Sequence, residues 1–339
     1  MNPVHVAVVG ATGAVGQEML RVLADRSFPV ASLKLIASPG SAGKTLSFGG
    51  AAHTLLAASP EAFRGVQLAL FSAGASVARE WGPLAAKAGA LVVDNSSAFR
   101  MESDVPLVVP EVNAHALANR PRNIVANPNC STIQMVVALK PLHDAWGVEH
   151  IVVSTYQAIS GKGARALAEL ELQVRQDVAG EPITQSVLPG VLAFNVLSDW
   201  SHEPNGYSEE ESKIIAETRK IFELPNLHVS PTTVRVPVRN GHSQAVWVRF
   251  RNRASRADAL ALMRKADGLR VMDDIGPGKH PQPRTVSGQD DVWVGRVRED
   301  ASDPNALALF VVGDNIRKGA ALNAVQVAER VLAGPHPAR

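Results

Sequence analysis

The apolar residues of this chain fall into short unbroken runs over its first third and into mixed strand-like and helical patterns beyond it. Val4–Val9, Ser32–Ala37, Val66–Phe71 and Ala90–Val93 are brief runs of the kind that form strands buried on both faces of a parallel sheet. Between them, Gln17–Leu23 places Met19, Leu20, Val22 and Leu23 as a helix packed on a sheet would, and Ser76–Ala88 reads as helical with Gly89 as its stop. Strand, helix, strand in alternation predicts a doubly wound parallel sheet, in which ligands lie at the carboxyl ends of the strands. Later, Ile124–Ala126 leads into a polar stretch and then into a helical pattern over Ile133–Trp146. Ser208-Glu209-Glu210-Glu211 opens a helix to about Phe222, with Ser208 and Glu211 spaced as a capping box. Residues 258–265 and 321–332 carry helical patterns, and Ala245–Phe250, Asp291–Val297 and Ala306–Val312 read as strands. Ala333–Arg339 is expected to be a loose tail.

Composition narrows the class. A chain of 339 residues with 46% apolar content can bury a large core and is expected to hold two domains. A formal charge of +2 gives no electrostatic reason to bind nucleic acid or a membrane surface. The start, Met-Asn-Pro-Val-His, lacks a basic leader, and no window holds the roughly 18 unbroken apolar residues of a membrane helix. The chain is therefore expected in the cytoplasm. Its single cysteine suits a reducing compartment and supplies neither an intramolecular disulfide nor a multi-cysteine metal site, so no metal is expected.

Five stretches carry chemistry. Gly10-Ala11-Thr12-Gly13-Ala14-Val15-Gly16 joins the first strand to the first helix, where glycines allow a tight turn and close backbone approach to a pyrophosphate on the helix N-terminus. A glycine turn without a ligand is the plainer reading. The strand ending at Ala37 runs into Ser38-Pro39-Gly40-Ser41-Ala42-Gly43-Lys44, with no acid to accept from a ribose hydroxyl; that favours NADP over NAD, against a plain polar turn. Polar clusters follow the next two strands, Ser72-Ala73-Gly74 and Asp94-Asn95-Ser96-Ser97, with Arg100 shortly after. Asn127-Pro128-Asn129-Cys130-Ser131-Thr132 holds the only cysteine. A lone cysteine is often core filler, but one at a helix start has its thiolate favoured by the dipole.

These residues resemble the aspartate-β-semialdehyde dehydrogenase family. Asn-Pro-Asn-Cys-Ser-Thr is similar to its nucleophile motif and Gly10–Gly16 to its cofactor loop. The similarity continues through Leu70–Gly74, Asp94–Arg100, Ser154–Ala158, Arg235–Ser243 and Asp314–Ala321, nearly the whole chain in order. The resemblance implies a Rossmann-type α/β sheet plus an α+β catalytic and dimerisation domain, arranged as in glyceraldehyde-3-phosphate dehydrogenase. It implies an NADP-binding domain of residues 1–129 and 314–339, a catalytic domain of residues 130–313, and a homodimer. It further implies reduction of β-aspartyl phosphate by NADPH to aspartate semialdehyde and phosphate, on the way to lysine, diaminopimelate, threonine and methionine.

By the same resemblance, Cys130 is the nucleophile, His242 the acid/base catalyst, and Gln157 orients the acyl group. Arg235 grips the substrate carboxylate, where an edge-strand arginine in solvent is the bland reading. Glu210 holds the ammonium and Lys213 the phosphate, where spacing alone suggests an exposed ion pair; Arg100 is a second phosphate ligand. Gly10, Thr12, Gly13, Ala14, Val15, Gly16, Ser38, Ser41, Ser72, Gly74, Asn95, Ser160, Gly161 and Asn315 would line the cofactor. The chain departs from the family at Gly40, where arginine is usual, at Lys162, where a small residue is usual, and at Gln244, where glutamate is usual. Asn195–Pro204 departs from a commoner Asn-x-Ile-Pro pattern. N-acetyl-γ-glutamyl-phosphate reductase is the nearest rival, but its motif has glycine before the cysteine and an aromatic after it. A non-catalytic dinucleotide-binding paralogue and a cysteine hydrolase are the rivals of other classes.

Overall fold

A computed structural model describes residues 2–199, 202–276 and 278–334, so most of the expected tail lies outside the described residues. It comprises two compact units, Met1–Asn129 with Ala320–Arg339, and Cys130–Gly319. Among the described residues no helix is long and apolar enough to cross a membrane.

The first unit runs β1 (Val4–Val9), α1 (Ala14–Asp25), β2 (Val30–Ala37), β3 (Thr45–Phe48), β4 (Ala51–Ala57), α2 (Pro60–Phe63), β5 (Leu68–Phe71), α3 (Ala75–Lys87), β6 (Leu91–Asp94), α4 (Pro110–Asn113) and β7 (Ile124–Ala126). Its strands are ordered β3-β4-β2-β1-β5-β6-β7, parallel except for the antiparallel β3–β4 pair. The apolar runs form the central strands because both faces are covered: Val6, Val8, Leu68 and Leu70 are buried against Met19 and Leu23 of α1 and against Leu322 and Val325 near the C-terminus. From β1 the chain winds one way through β2 and the other way through β5. The carboxyl ends of β1 and β5 are therefore the topological switch point, where sheets of this kind bind ligands.

The second unit runs α5 (Cys130–Trp146), β8 (Val148–Gln157), α6 (Ala164–Ala179), β9 (Leu197–Ser198), α7 (Glu209–Ile221), β10 (His228–Arg235), β11 (His242–Phe250), α8 (Arg256–Lys265), β12 (Leu269–Val271), α9 (Pro283–Val286), β13 (Val292–Glu299) and β14 (Ala306–Gly313). Its mixed sheet is ordered β12-β13-β14-β11-β8-β10-β9, and α5 packs on β11, β13 and β14. The capping box forms as the spacing predicts, Ser208 N–H donating to Glu211 at 2.8 Å and Glu211 N–H to Ser208 Oγ at 3.2 Å.

Residues 314–319 were expected with the first unit and lie in the second. Asp314 Oδ2 accepts from Asn240 Nδ2 at 2.8 Å and Gly288 N–H at 2.7 Å, and Asn315 Oδ1 accepts from Gly241 N–H at 2.9 Å, so polar bonds bind this stretch to the end of β14's unit. The chain re-enters the first unit at Ala320 and closes it with α10 (Leu322–Leu332).

Candidate active site

In the first unit the glycine loop is built for close backbone contact. Gly10 has φ +86°, and a Cβ there would meet the Ser72 carbonyl carbon at 2.8 Å. A Cβ at Gly16 would meet the Gly10 oxygen at 2.2 Å, so the turn and the helix start share space that no side chain could enter. Gly13 caps α1 without a side-chain hydrogen bond, and Thr12, Gly13 and Ala14 are exposed. The first-turn N–H groups and the positive end of the dipole thus point at solvent, the condition for a pyrophosphate. The cradle and the uncapped helix fit a dinucleotide.

Around that loop, Ser72 donates from N–H and Oγ to the Val9 carbonyl at 2.8 and 3.2 Å. Gly74, at φ +89°, is the N-cap of α3. Asn95 donates to Phe71 O at 3.2 Å and accepts from Asn127 at 2.7 Å. Asp94 takes both donors of Ser96, and its carboxyl is nevertheless raised above the usual range because burial outweighs those bonds. Arg100 is buried, with Nε on Asn127 O at 2.9 Å and Nη2 on Asn95 O at 2.8 Å, so it ties the ends of β6 and β7 together. Ser38 and Ser41 lie at the end of β2 with their hydroxyls 3.5 Å apart. Nothing lies within 4 Å of a Cβ at Gly40, so the absent arginine is a matter of residue type and not of room.

In the second unit three strand ends converge. Gln157 ends β8, Arg235 ends β10 directly opposite it, and His242 begins β11 beside the same end of β8. Cys130 is the first residue of the 17-residue α5 and is half-buried. Gly319 packs against it so closely that a Cβ there would lie 2.9 Å from Cys130 Cβ. Gln157 donates to Ser131 Oγ at 2.8 Å and to Glu210 Oε1 at 3.1 Å, which links the head of α5 to α7. A carboxylate at Glu210 demands a donor, so the Gln157 amide nitrogen faces it and Oε1 is left as an acceptor.

His242 is fully buried. The Ala158 N–H donates to its Nδ1 at 2.9 Å, and a backbone N–H only donates, so the neutral ring carries its proton on Nε2. Burial, reinforced by the positive charge of Arg235 and opposed by Glu210, pushes its pKa down to about 3. Gly161 lies over the pair, its Cβ position 3.0 Å from Arg235 Nη1 and 3.5 Å from His242 Nε2. Arg235 is 4% exposed, which removes the reading of a solvent-facing edge arginine; the short β9 covers its strand. Gln157 Oε1, Arg235 Nε and His242 Nε2 are buried and without hydrogen-bond partners among the described residues. Buried polar atoms left in that state mark a place where a ligand completes the set.

The remaining expected residues of the second unit have partners of their own. Lys213 Nζ lies 2.6 Å from Glu209 Oε1, an ion pair at the i,i+4 spacing. Ser160 Oγ and Asn315 bond each other at 2.9 Å. Gln244, buried, donates to the Ser131 carbonyl at 2.8 Å, a bond that an ionised glutamate would not make. Sequence reasoning missed this bond, the Ser131 hydroxyl and the close approach of Gly319. Ser131 and Gly319 lay inside recognised motifs, and only the fold shows what they touch.

Known proteins resemble the chain over nearly all of its length. Residues 5–120 match the family described as "Semialdehyde dehydrogenase, NAD binding domain", and residues 139–318 match "Semialdehyde dehydrogenase, dimerisation domain". The chain is 49% identical over 332 residues to the aspartate-semialdehyde dehydrogenase of Synechocystis sp., covering 98% of both chains. It is 47% identical to that of Bacillus subtilis, covering 96% of both. The crystal structure of aspartate semialdehyde dehydrogenase II from Vibrio cholerae superposes with a TM-score of 0.96 at 45% identity, over 99% of this chain and 100% of that one. A form of the same enzyme complexed with ASA matches equally well at 44% identity. The Candida albicans enzyme with NADP matches at a TM-score of 0.78 and 26% identity, over 98% of this chain and 99% of that one. The chain belongs to the aspartate-semialdehyde dehydrogenases, a family of oxidoreductases.

Proposed function

We propose that the chain interconverts β-aspartyl phosphate and aspartate β-semialdehyde with NADP, through a thioester on Cys130. The single observation that carries this reading is the cysteine at the head of α5, linked through Ser131 and Gln157 to three strand ends that present unfilled polar atoms. The Cys130 thiolate, favoured by the helix dipole, attacks the acyl carbon; the C–S bond forms and phosphate leaves with the electron pair of the broken C–O bond. NADPH, when bound, supplies a hydride to the acyl carbon. The tetrahedral oxyanion then collapses, the C–S bond breaks, and the thiolate is restored.

The chain's own residues fix what surrounds those steps. His242 presents a proton at Nε2 and suits the developing oxyanion as a hydrogen-bond donor; acting as a base would require breaking the Ala158 bond. Arg235 suits the substrate carboxylate, Glu210 with the Gln157 oxygen its ammonium, and Lys213 and Arg100 the phosphate. In the first unit, Gly10, Thr12–Gly16, Ser38, Ser41, Ser72, Gly74 and Asn95 suit NADP. On β8, Val152 and Tyr156 are each 40% exposed on one sheet face, which supports a homodimer formed there. The reading includes a cytoplasmic location and no nucleic-acid or membrane partner.

Two measurements test it. Arg235→Lys, which loses the two-pronged grip, is expected to raise KM for aspartate semialdehyde by about 10- to 100-fold, with smaller changes for phosphate and NADP. Equal shifts for all three substrates would remove Arg235 from the carboxylate. The loop after β2 is expected to make kcat/KM higher with NADP than with NAD, and Gly40→Arg, which the space allows, to widen that ratio by about 10-fold. Equal efficiency with both cofactors would refute an NADP site.

A further inference from the structure

Two of the chain's departures from its family meet beside Arg235. Lys162 ends the turn that carries Gly161, and Asp199 follows β9 in the atypical middle segment. The Asp199 N–H donates to Thr233 O at 3.1 Å, which sets its side chain against β10. Its Oδ2 lies 3.7 Å from Lys162 Nζ and 3.8 Å from Arg235 Nη2. The aspartate side chain is 2% exposed, that of Arg235 4% and that of Lys162 30%. At those separations the contacts are ion pairs without a hydrogen bond, and Asp199 Oδ2 has no hydrogen-bond partner among the described residues.

A buried carboxylate beside a carboxylate-binding arginine is costly for function. It neutralises the cation and repels the incoming anion. Lys162 reverses that. With Arg235 and Lys162 each +1 and Asp199 −1, these three groups sum to one positive charge, and the aspartate attracts the guanidinium across 3.8 Å. We propose that Asp199 is a positioning residue for Arg235 and that Lys162 is its compensating cation, the two together setting affinity for the carboxylate of the amino-acid substrate. This rests on the reading of Arg235 as the carboxylate ligand.

A double-mutant cycle in the full-length enzyme tests the pair. Lys162→Met leaves Asp199 to neutralise Arg235 and is expected to raise KM for aspartate semialdehyde about 10-fold while moving KM for phosphate and NADP by less than about two-fold. Lys162→Arg keeps the charge and is expected to keep the low KM. Adding Asp199→Asn to Lys162→Met removes both charges without changing shape and is expected to bring KM back to within about three-fold of the parent. A Lys162→Met variant with unchanged semialdehyde KM overturns the proposal, as does a double variant no better than Lys162→Met. Arg235→Lys run alongside separates the two readings. If it raises semialdehyde KM while the cycle shows no rescue, only the charge pairing fails; if it does not, the carboxylate assignment fails.

Discussion

Cys130→Ala is expected to abolish turnover, lowering kcat by at least about 10⁴-fold, because no other group in the chain can form the thioester. With aspartate semialdehyde, phosphate and NADP, the parent enzyme should show a burst of NADPH and the variant none. Stability should barely change. The residue is half-buried at the first position of α5, alanine is a good helix former, and Gly319 already sits against the Cβ that alanine retains. Retained folding and NADP binding with lost chemistry would exclude both a hydrolase with an inert nucleotide fold and a non-catalytic dinucleotide-binding protein. Residual turnover above about 1% of the parent would instead place the nucleophile elsewhere.

The sequence showed the parts of the fold that rest on periodicity and hid those that rest on partners distant along the chain. The strands of the first sheet are legible because burial on both faces demands unbroken apolar runs. The β3–β4 pair was not, since its positions are mostly exposed and carry little apolar pattern. Nor was α6, whose helix is organised by Glu169: burial opposes ionisation of that carboxyl, but the Ser186 hydroxyl and the N–H groups of Leu188, Ser186 and Val187 outweigh it and hold its pKa below the usual range. Those bonds clamp the following loop onto the helix across 17–19 positions of sequence. Within the site, Cys130, Gln157, Arg235 and His242 were readable from motifs. That three strand ends bring the last three together follows only from the order β11-β8-β10, in which neighbours in space are distant in sequence. The Asp199–Lys162 contact shows the same limit, since each residue alone looked like a lapse from the family pattern.

His242→Gln separates two roles that a histidine at this position could play. If Nε2–H serves the oxyanion, glutamine can still donate from a similar place but less accurately, and kcat should fall by about 10²- to 10³-fold. The pH profile of kcat/KM should lack a histidine limb near pH 6.5, since the folded ring resists protonation until about pH 3. A limb near pH 6.5 that vanishes in the variant would instead show a ring that gains and loses its proton during turnover. The same depressed pKa makes a prediction about stability. Between about pH 6.5 and 3 the unfolded chain binds a proton at this residue and the folded chain does not, so the contribution is whole above pH 6.5 and is lost as pH falls. From pH 7 to 5 the loss is about 2 kcal/mol, from ~1.4 kcal/mol per unit below the unfolded value. Urea unfolding at the two pH values should show His242→Gln less acid-sensitive than the parent by that amount. Identical acid sensitivity would mean that the ring is protonated in the folded enzyme, and the Ala158 hydrogen bond could not then hold it in its donor tautomer.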